Sequence, residues 1–150
     1  MKKKKEQKQF RAVIDTNLFI SGLFAEHGYT CQIHQLWVNG AFDLVVSEKI
    51  LKEINTTLLK PFIRKKLRLF HNDEKLITDL IREKASVVTA DLYETERIKT
   101  DPTDNKFLAC ALEGKADYLV SGDNHLLEIK YFHGIQIIDA KTFVKKITGK

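Results

Sequence analysis

The chain has 150 residues, of which 43% are hydrophobic and 30% charged, with only seven glycines and two prolines. This composition is typical of a folded globular domain and excludes a disordered or low-complexity chain. The net charge is +5, but the first ten residues hold five lysines and one glutamate, so the rest of the chain is close to neutral. The charge therefore permits a nucleic-acid partner without requiring one, and a solvated tail is the simpler interpretation of the lysine run.

Targeting signals and cysteines together indicate a reducing, cytoplasmic setting. No apolar run approaches the roughly 20 residues needed to cross a bilayer. The lysine-rich start is not followed by the apolar region and cleavage site of a signal peptide. Cys31 and Cys110 are far apart and belong to no Cys/His cluster, which predicts free thiols rather than a zinc site. We expect residues 1–9 to form a basic disordered tail and residues 10–150 a single domain.

Apolar runs and helical periodicity alternate along the chain. The predicted strands cover residues 11–15, 42–46, 86–90, 118–120 and 135–138. The predicted helices begin near Leu18 and then cover residues 29–39, 48–59 after an N-cap at Ser47, 62–84, about 104–114, a short stretch through Leu127, and 141–147. Strands that alternate with helices imply right-handed crossovers and a parallel sheet. We therefore predict a three-layer α/β/α sandwich with a central parallel sheet of about four or five strands.

Two acidic residues lie where two of the predicted strands end. Asp15 closes the first strand, and Asp123 lies three residues beyond the fourth. Ligands of parallel α/β sheets bind beyond the carboxyl ends of the strands. We therefore expect Asp15 and Asp123 to reach the same edge of the sheet.

A third acid, Asp104, has two competing interpretations. Its spacing places it on the same helical face as the apolar residues Phe107 and Leu108, where a carboxylate is costly to desolvate unless it has a use there. The sequence Asp101-Pro102 before it also fits a helix start, with Asp101 as the cap and Asp104 as a first-turn acid. Both roles are compatible, since Asp101 can cap while Asp104 coordinates.

The helix after Ser47 offers two more acids, Glu48 and Glu53. At about 100° per residue, each falls on a border of the apolar face, on opposite sides. Periodicity alone does not choose between them.

Converging carboxylates repel one another unless they are protonated, paired with cations or bound to metal. All-oxygen ligands favour Mg²⁺ or Mn²⁺ over zinc. Such an ion can activate water and neutralise the charge of a phosphodiester during in-line displacement. Phosphodiester hydrolysis is therefore the leading chemistry for this set of residues.

Four segments, taken in order and with their spacing, resemble the PIN-domain family. The resemblance is greatest to the toxin components of prokaryotic toxin–antitoxin systems and extends from about residue 11 to residue 144. The segments are VIDTN at 13–17, SEKILKEI at 47–54, DPTDNKFLA at 101–109 and YLVSGD at 118–123. Their order and spacing together are more specific than any one of them alone.

By this resemblance, the family's metal-binding acid positions are occupied by Asp15, Glu53, Asp104 and Asp123. The match selects Glu53, which periodicity does not distinguish from Glu48. Four further residues correspond to supporting polar positions: Thr16, Asn17, Ser47 and Ser121.

The same resemblance implies an endoribonuclease that depends on Mg²⁺ or Mn²⁺, forms homodimers and is inhibited by an antitoxin protein. The chain departs from the simplest family pattern in its lysine tail and in His125, two residues after Asp123. His125 could meet a phosphate group of RNA, although an ordinary solvent-facing or packing histidine is the simpler interpretation.

Three other classes of protein share parts of this pattern. A haloacid-dehalogenase-like phosphatase needs an acid where Asn17 stands, and a nucleotide-binding module needs a glycine-rich phosphate loop that the chain lacks. The third alternative is a non-catalytic protein of the same fold that binds RNA or a protein partner, because fold does not imply function. The four-acid set favours the nuclease.

Overall fold

A computed structural model describes residues 9–89 and 104–150. The described strands are β1 (Arg11–Ile14), β2 (Asp43–Ser47), β3 (Ser86–Val88), β4 (Tyr118–Val120), β5 (Tyr131–Phe132) and β6 (Ile135–Ile138). The described helices are α1 (Thr16–Phe24), α2 (Tyr29–Val38), α3 (Glu48–Leu58), α4 (Pro61–Leu69), α5 (Glu74–Lys84), α6 (Asn105–Glu113), α7 (Asn124–Leu127) and α8 (Ala140–Thr148). The predicted basic tail and the proposed Asp101-Pro102 helix start lie outside the described residues.

The strands form one twisted sheet in the order β3-β2-β1-β4-β6-β5. The first five strands in that order run parallel, and helices flank the sheet, which confirms the predicted α/β sandwich. Parallel sheets are buried on both faces, so their strands are apolar throughout. The central strands fit this rule, since Val13, Leu119 and Val120 have no solvent exposure.

The sheet differs from the prediction in its number of strands and in the direction of one strand. It has six strands in the described residues rather than four or five, because β5 pairs antiparallel with β6. The two strands join through His133 and Gly134, both at positive φ, as a tight hairpin requires. Strand β5 was not predicted because its two residues are too few to give a periodic signal and one of them, Tyr131, is exposed.

The single helix predicted for residues 62–84 is also wrong, because the chain forms two helices there. Helix α4 ends at Leu69, and His71 then adopts a left-handed conformation with a φ of 55°. The Asp73 carboxylate accepts a hydrogen bond from the Leu76 amide and starts α5. Charged residues lie on both sides of the break, so the sequence pattern does not show where α4 ends and α5 begins.

Register brings the carboxyl ends of the strands to one edge of the sheet. Ile14 lies opposite Val120, which in turn lies opposite Ile138. The Asp15 amide continues this ladder by donating to the Val120 carbonyl at 3.0 Å. The segments that follow β1 and β4 therefore start side by side.

Gly114, which ends α6, packs directly against the sheet. A Cβ atom at this position would lie 2.3 Å from Cγ1 of the fully buried Val45. We expect Gly114→Ala to lower the free energy of unfolding by about 1–3 kcal/mol, because a rigid β-branched neighbour cannot move aside. Gly122→Ala is the matched control, since the nearest atom there is 4.0 Å away. Denaturant unfolding measures both variants, and equal stability would contradict the packing argument.

Candidate functional site

A pocket of about 610 Å³ opens at the carboxyl edge of the sheet. Four of its ten lining residues are acids. The residues that line it are Asp15, Thr16, Asn17, Leu18, Glu53, Asp104, Lys106, Phe107, Gly122 and Asp123. The structure thus brings together the four acids singled out from the sequence, and they come from four separate segments of the chain.

Asp15 is held rigidly between two parts of the backbone. One carboxylate oxygen accepts a hydrogen bond from the Leu18 amide at 2.8 Å and caps α1, which explains why the helix begins immediately after β1. The other oxygen accepts from the Gly122 amide at 3.3 Å, so Asp15 also ties β1 to the loop after β4. The side chain is only 7% exposed. Its position is therefore set by the scaffold and not by the ligand.

Thr16 and Asn17 follow Asp15 in the first turn of α1 and line the same pocket. Thr16 is buried, and its hydroxyl has no hydrogen-bond partner among the described residues. Asn17 is exposed. A buried hydroxyl without a partner is costly, so its place at the pocket wall favours contact with a bound group.

Asp123 begins the short helix α7. One carboxylate oxygen accepts from the His125 amide at 2.8 Å, and the Asp123 amide donates to the Ser121 hydroxyl at 2.9 Å. His125 lies beside Asp123, with 4.0 Å between the imidazole Nδ1 and the carboxylate, and its side chain is 54% exposed. Within the described residues, His125 is outside the lining of the pocket.

The structure separates the two glutamates that periodicity does not distinguish. Glu53 lines the pocket, whereas Glu48 lies outside it and forms a paired contact with the Arg82 guanidinium at 3.1 and 3.2 Å. That hydrogen bonding lowers the pKa of Glu48. Glu48 thus has a surface partner that ties α3 to α5, and Glu53 is the acid of α3 at the site.

Asp104 stands immediately before α6 and is 8% exposed. Helix α6 begins at Asn105, and the predicted cap at Asp101 lies outside the described residues. Although Asp104 occupies the cap position, its side chain makes no capping hydrogen bond to the helix. Its burial at the pocket therefore has a cause other than helix capping.

Lys106 also lines the pocket, and no role is predicted for it from the sequence. Its ammonium lies 2.5 Å from a Glu53 carboxylate oxygen, and the two side chains are 20% and 34% exposed. A cation in the first turn of a helix opposes the macrodipole, which is the one signal in the sequence that could have drawn attention to it. The pair joins α6 to α3 and neutralises one of the four acids.

Ser47 and Ser121 lie behind the pocket and are fully buried. Ser47 caps α3 by accepting from the Ile50 amide at 3.1 Å, as its sequence position predicts, and it is also hydrogen-bonded to the Cys110 thiol. Ser121 orients the loop that carries Asp123. Burial prevents both serines from touching a substrate, so any support they give is through the backbone.

Comparison with known proteins identifies the fold family. The PIN domain family model matches residues 11–125, which is most of the chain and includes every residue of the pocket. The chain belongs to the PIN domain family. PIN domains are generally nucleases, and those nucleases usually use divalent metal ions.

The chain is also similar to two other proteins. An uncharacterized protein of Methanocaldococcus jannaschii is 32% identical over 127 residues, which cover 85% of this chain and 79% of that protein. The crystal structure of PAE2754 from Pyrobaculum aerophilum matches with a TM-score of 0.56 and 15% identity, over 95% of this chain and 91% of that one. At 15% identity, the likeness to PAE2754 concerns the fold alone.

The chemistry of the PIN-domain pocket suits a hard divalent cation. Its charged donors are carboxylate oxygens, and the Thr16 hydroxyl adds a buried oxygen that has no partner among the residues described. Within residues 9–89 and 104–150, however, no three His, Cys, Asp or Glu side chains are already arranged around one point that could hold an ion. Glu53 is engaged by Lys106. The residues fit a metal ion if Glu53 exchanges its ammonium partner for that ion.

No helix in the described parts of the chain is long and apolar enough to cross a lipid bilayer.

The environment of Cys110 predicts selective thiol chemistry. Burial raises the pKa of this thiol to about 12, and the side chain has no solvent exposure, whereas Cys31 is partly exposed. Because the thiolate is the reactive form, we expect a thiol reagent at pH 8 to modify one cysteine in the folded protein and both in denaturant. Cys31→Ser should abolish the fast reaction, and rapid labelling of that variant would contradict the burial of Cys110.

Proposed function

We propose that this PIN-domain protein is a metal-dependent endoribonuclease that hydrolyses phosphodiester bonds of RNA. The observation that carries the proposal is the convergence of Asp15, Glu53, Asp104 and Asp123 on one pocket. Carboxylates that share a pocket repel one another, and a bound cation offsets that repulsion. Mg²⁺ or Mn²⁺ is the cation that such oxygen donors select.

Each acid has a defined part in this proposal. Asp15 and Asp123 would hold the ion from the segments that follow β1 and β4, Asp104 from the position before α6, and Glu53 from α3. When bound, the ion supplies an activated water and charge neutralisation at the phosphate. Asp15 keeps its orientation through the Leu18 and Gly122 amides, so its carboxylate needs little reorganisation.

The remaining pocket side chains act on the substrate. Asn17 is exposed at the pocket wall and can bind the RNA backbone or a base edge. Lys106, once released from Glu53, places a positive charge where a phosphate enters. His125 is near enough to Asp123 to meet a phosphate beside the pocket, although it does not line the pocket.

The finer biological role rests on the resemblance of the four sequence segments to the toxin branch of the family. On that basis we include a role as the toxin component of a toxin–antitoxin system, with an antitoxin partner, a homodimeric state and a cytoplasmic location. The endonucleolytic character has the same support.

One observation favours a second candidate, a non-catalytic PIN-fold protein that binds RNA or a protein. The Lys106–Glu53 ion pair already satisfies one of the four acids without metal. A protein that only binds RNA gains from such a pair, because it reduces the negative potential that would repel phosphate. The following experiment distinguishes the two candidates.

Asp15→Asn is the central variant because it keeps the side-chain shape and the oxygen that can cap α1 while it removes a charge. With labelled single-stranded and structured RNA and added Mg²⁺ or Mn²⁺, we expect the wild type to cleave and the variant to be slower by at least about 100-fold. Asp79→Asn, at an exposed acid on α5 outside the pocket, should cleave at the wild-type rate. A chelator should stop cleavage by the wild type.

Two outcomes would overturn the proposed chemistry: cleavage that persists in chelator, or equal cleavage by Asp15→Asn and the wild type. RNA binding without any metal-dependent cleavage would establish the non-catalytic candidate. Release of phosphate from small phosphomonoesters would instead indicate a phosphatase.

Lys106 provides a separate prediction that concerns metal binding alone. If its ammonium competes with the ion for Glu53, Lys106→Met should bind Mn²⁺ about two- to fivefold more tightly, given the strength of a partly exposed ion pair. Lys106→Arg keeps the charge and serves as the control. Electron paramagnetic resonance of free Mn²⁺ measures the affinity without any substrate, and weaker binding by Lys106→Met would contradict the competition.

A further inference from the structure

The exposed side of α4 combines positive charge with large apolar side chains. The segment 60–70 contains five lysines and arginines and no acid. On its outer side lie Phe62, Lys65, Lys66, Arg68 and Leu69, which we call the α4 ridge. Phe62 and Leu69 are 75% and 72% exposed, among the most exposed large apolar residues of the described chain.

Helical geometry explains this division of the helix. Ile63 and Leu67 are one turn apart and face the core, and Leu67 is fully buried. Phe62, Lys65 and Leu69 follow the spacing i, i+3, i+7, so they share the opposite side. The large apolar residues of the ridge therefore do not pack α4 against the core.

The described residues provide no acidic partner for the cations of the ridge. In the described part of the chain, no acid forms an ion pair with any lysine or arginine of segment 60–70. The neighbouring helix α5 behaves differently, since Lys75 pairs with Asp79 and Arg82 with Glu48. The positive field of α4 is therefore available to a polyanion.

The ridge also adjoins an element that starts at the candidate active site. Helix α1 begins at Thr16 in the pocket and ends at Phe24, a rise of about 12 Å. The Phe24 ring lies 5.7 Å from the Phe70 ring, and the Lys66 ammonium lies 5.0 Å from the Phe24 centroid. One strand of nucleic acid can reach both places, because single-strand sites on protein modules span about 4–16 nucleotides.

We infer that the α4 ridge binds single-stranded RNA next to the nucleotides held in the pocket. Its cations contact phosphates, and the exposed ring of Phe62 stacks on a base. This inference rests on the proposed function for its choice of RNA. A second copy of this chain is disfavoured, because a two-fold contact through α4 would bring two unneutralised basic helices together. An acidic protein matches the charge but gives no reason for an exposed aromatic ring among the cations.

The charge of the ridge is tested by Lys65→Gln/Arg68→Gln. The matched control is Lys145→Gln/Lys146→Gln, which removes two exposed cations from the last turn of α8. Affinity for a fluorescent single-stranded RNA is measured by anisotropy in chelator at several salt concentrations. For two lost phosphate contacts we expect affinity to fall about 25-fold at 0.1 M salt and the slope of log K against log salt to shrink by about 1.4. The control should match the wild type.

The stacking contact is tested separately by Phe62→Ala, with Tyr131→Ala, at an aromatic residue on β5 that is 65% exposed, as the control. We expect Phe62→Ala to weaken RNA binding by roughly fivefold or more with an unchanged salt slope, because stacking involves no counterion release. Thermal unfolding checks that all four variants keep the wild-type fold.

The inference is overturned if the α4 variants bind RNA as their controls do, or if the wild type binds no RNA at low salt. In the former case, an acidic protein becomes the occupant to test. Failure of the proposed nuclease is recognised independently: a protein that binds RNA through α4 but never cleaves it refutes the chemistry and leaves this inference intact. If the protein does cleave, the ridge variants should reach the wild-type single-turnover rate at saturating protein.

Discussion

The parallel pairing of β1 with β4 is the constraint on which the site depends. Because the Asp15 amide continues the ladder to Val120 and its carboxylate reaches the Gly122 amide, the ends of two distant segments are locked together. The same contact fixes the start of α1 and the loop that leads to Asp123. The other pocket residues lie around this junction, so the fold itself brings the four acids to one pocket.

Electrostatics then determines how the pocket is completed. Four carboxylates on one sheet edge would destabilise the fold if each were ionised and alone. Asp15 and Asp123 offset this cost with backbone amides, which they meet at helix N-termini. Glu53 does so with the Lys106 ammonium. The partners differ because Asp15 and Asp123 immediately precede helices whose first amides are free, whereas Glu53 lies in the middle of a helix without free amides nearby.

The alternation of strands and helices made the sandwich predictable, and strand ends placed Asp15 and Asp123 correctly at one edge. Local spacing could not choose Glu53 over Glu48, since that choice depends on Arg82 of α5, a contact between distant segments. The place of Lys106 in the pocket was not predicted for the same reason, because its partner Glu53 lies on another helix. The break between α4 and α5 and the two-residue strand β5 were missed because short elements are determined by tertiary pairing and turn conformation, not by periodicity.

The ion pair between Lys106 and Glu53 has a consequence for how the protein matures. In small metalloproteins whose ligands have no other partners, the apo chain is unfolded and metal uptake is part of folding. Here Asp15, Asp123 and Glu53 each have a partner from the chain itself. On the proposed metal-dependent chemistry, folding and metal loading would therefore be separate events, and the chain could fold while metal is scarce. Activity would then follow the supply of the ion and not the supply of folded protein.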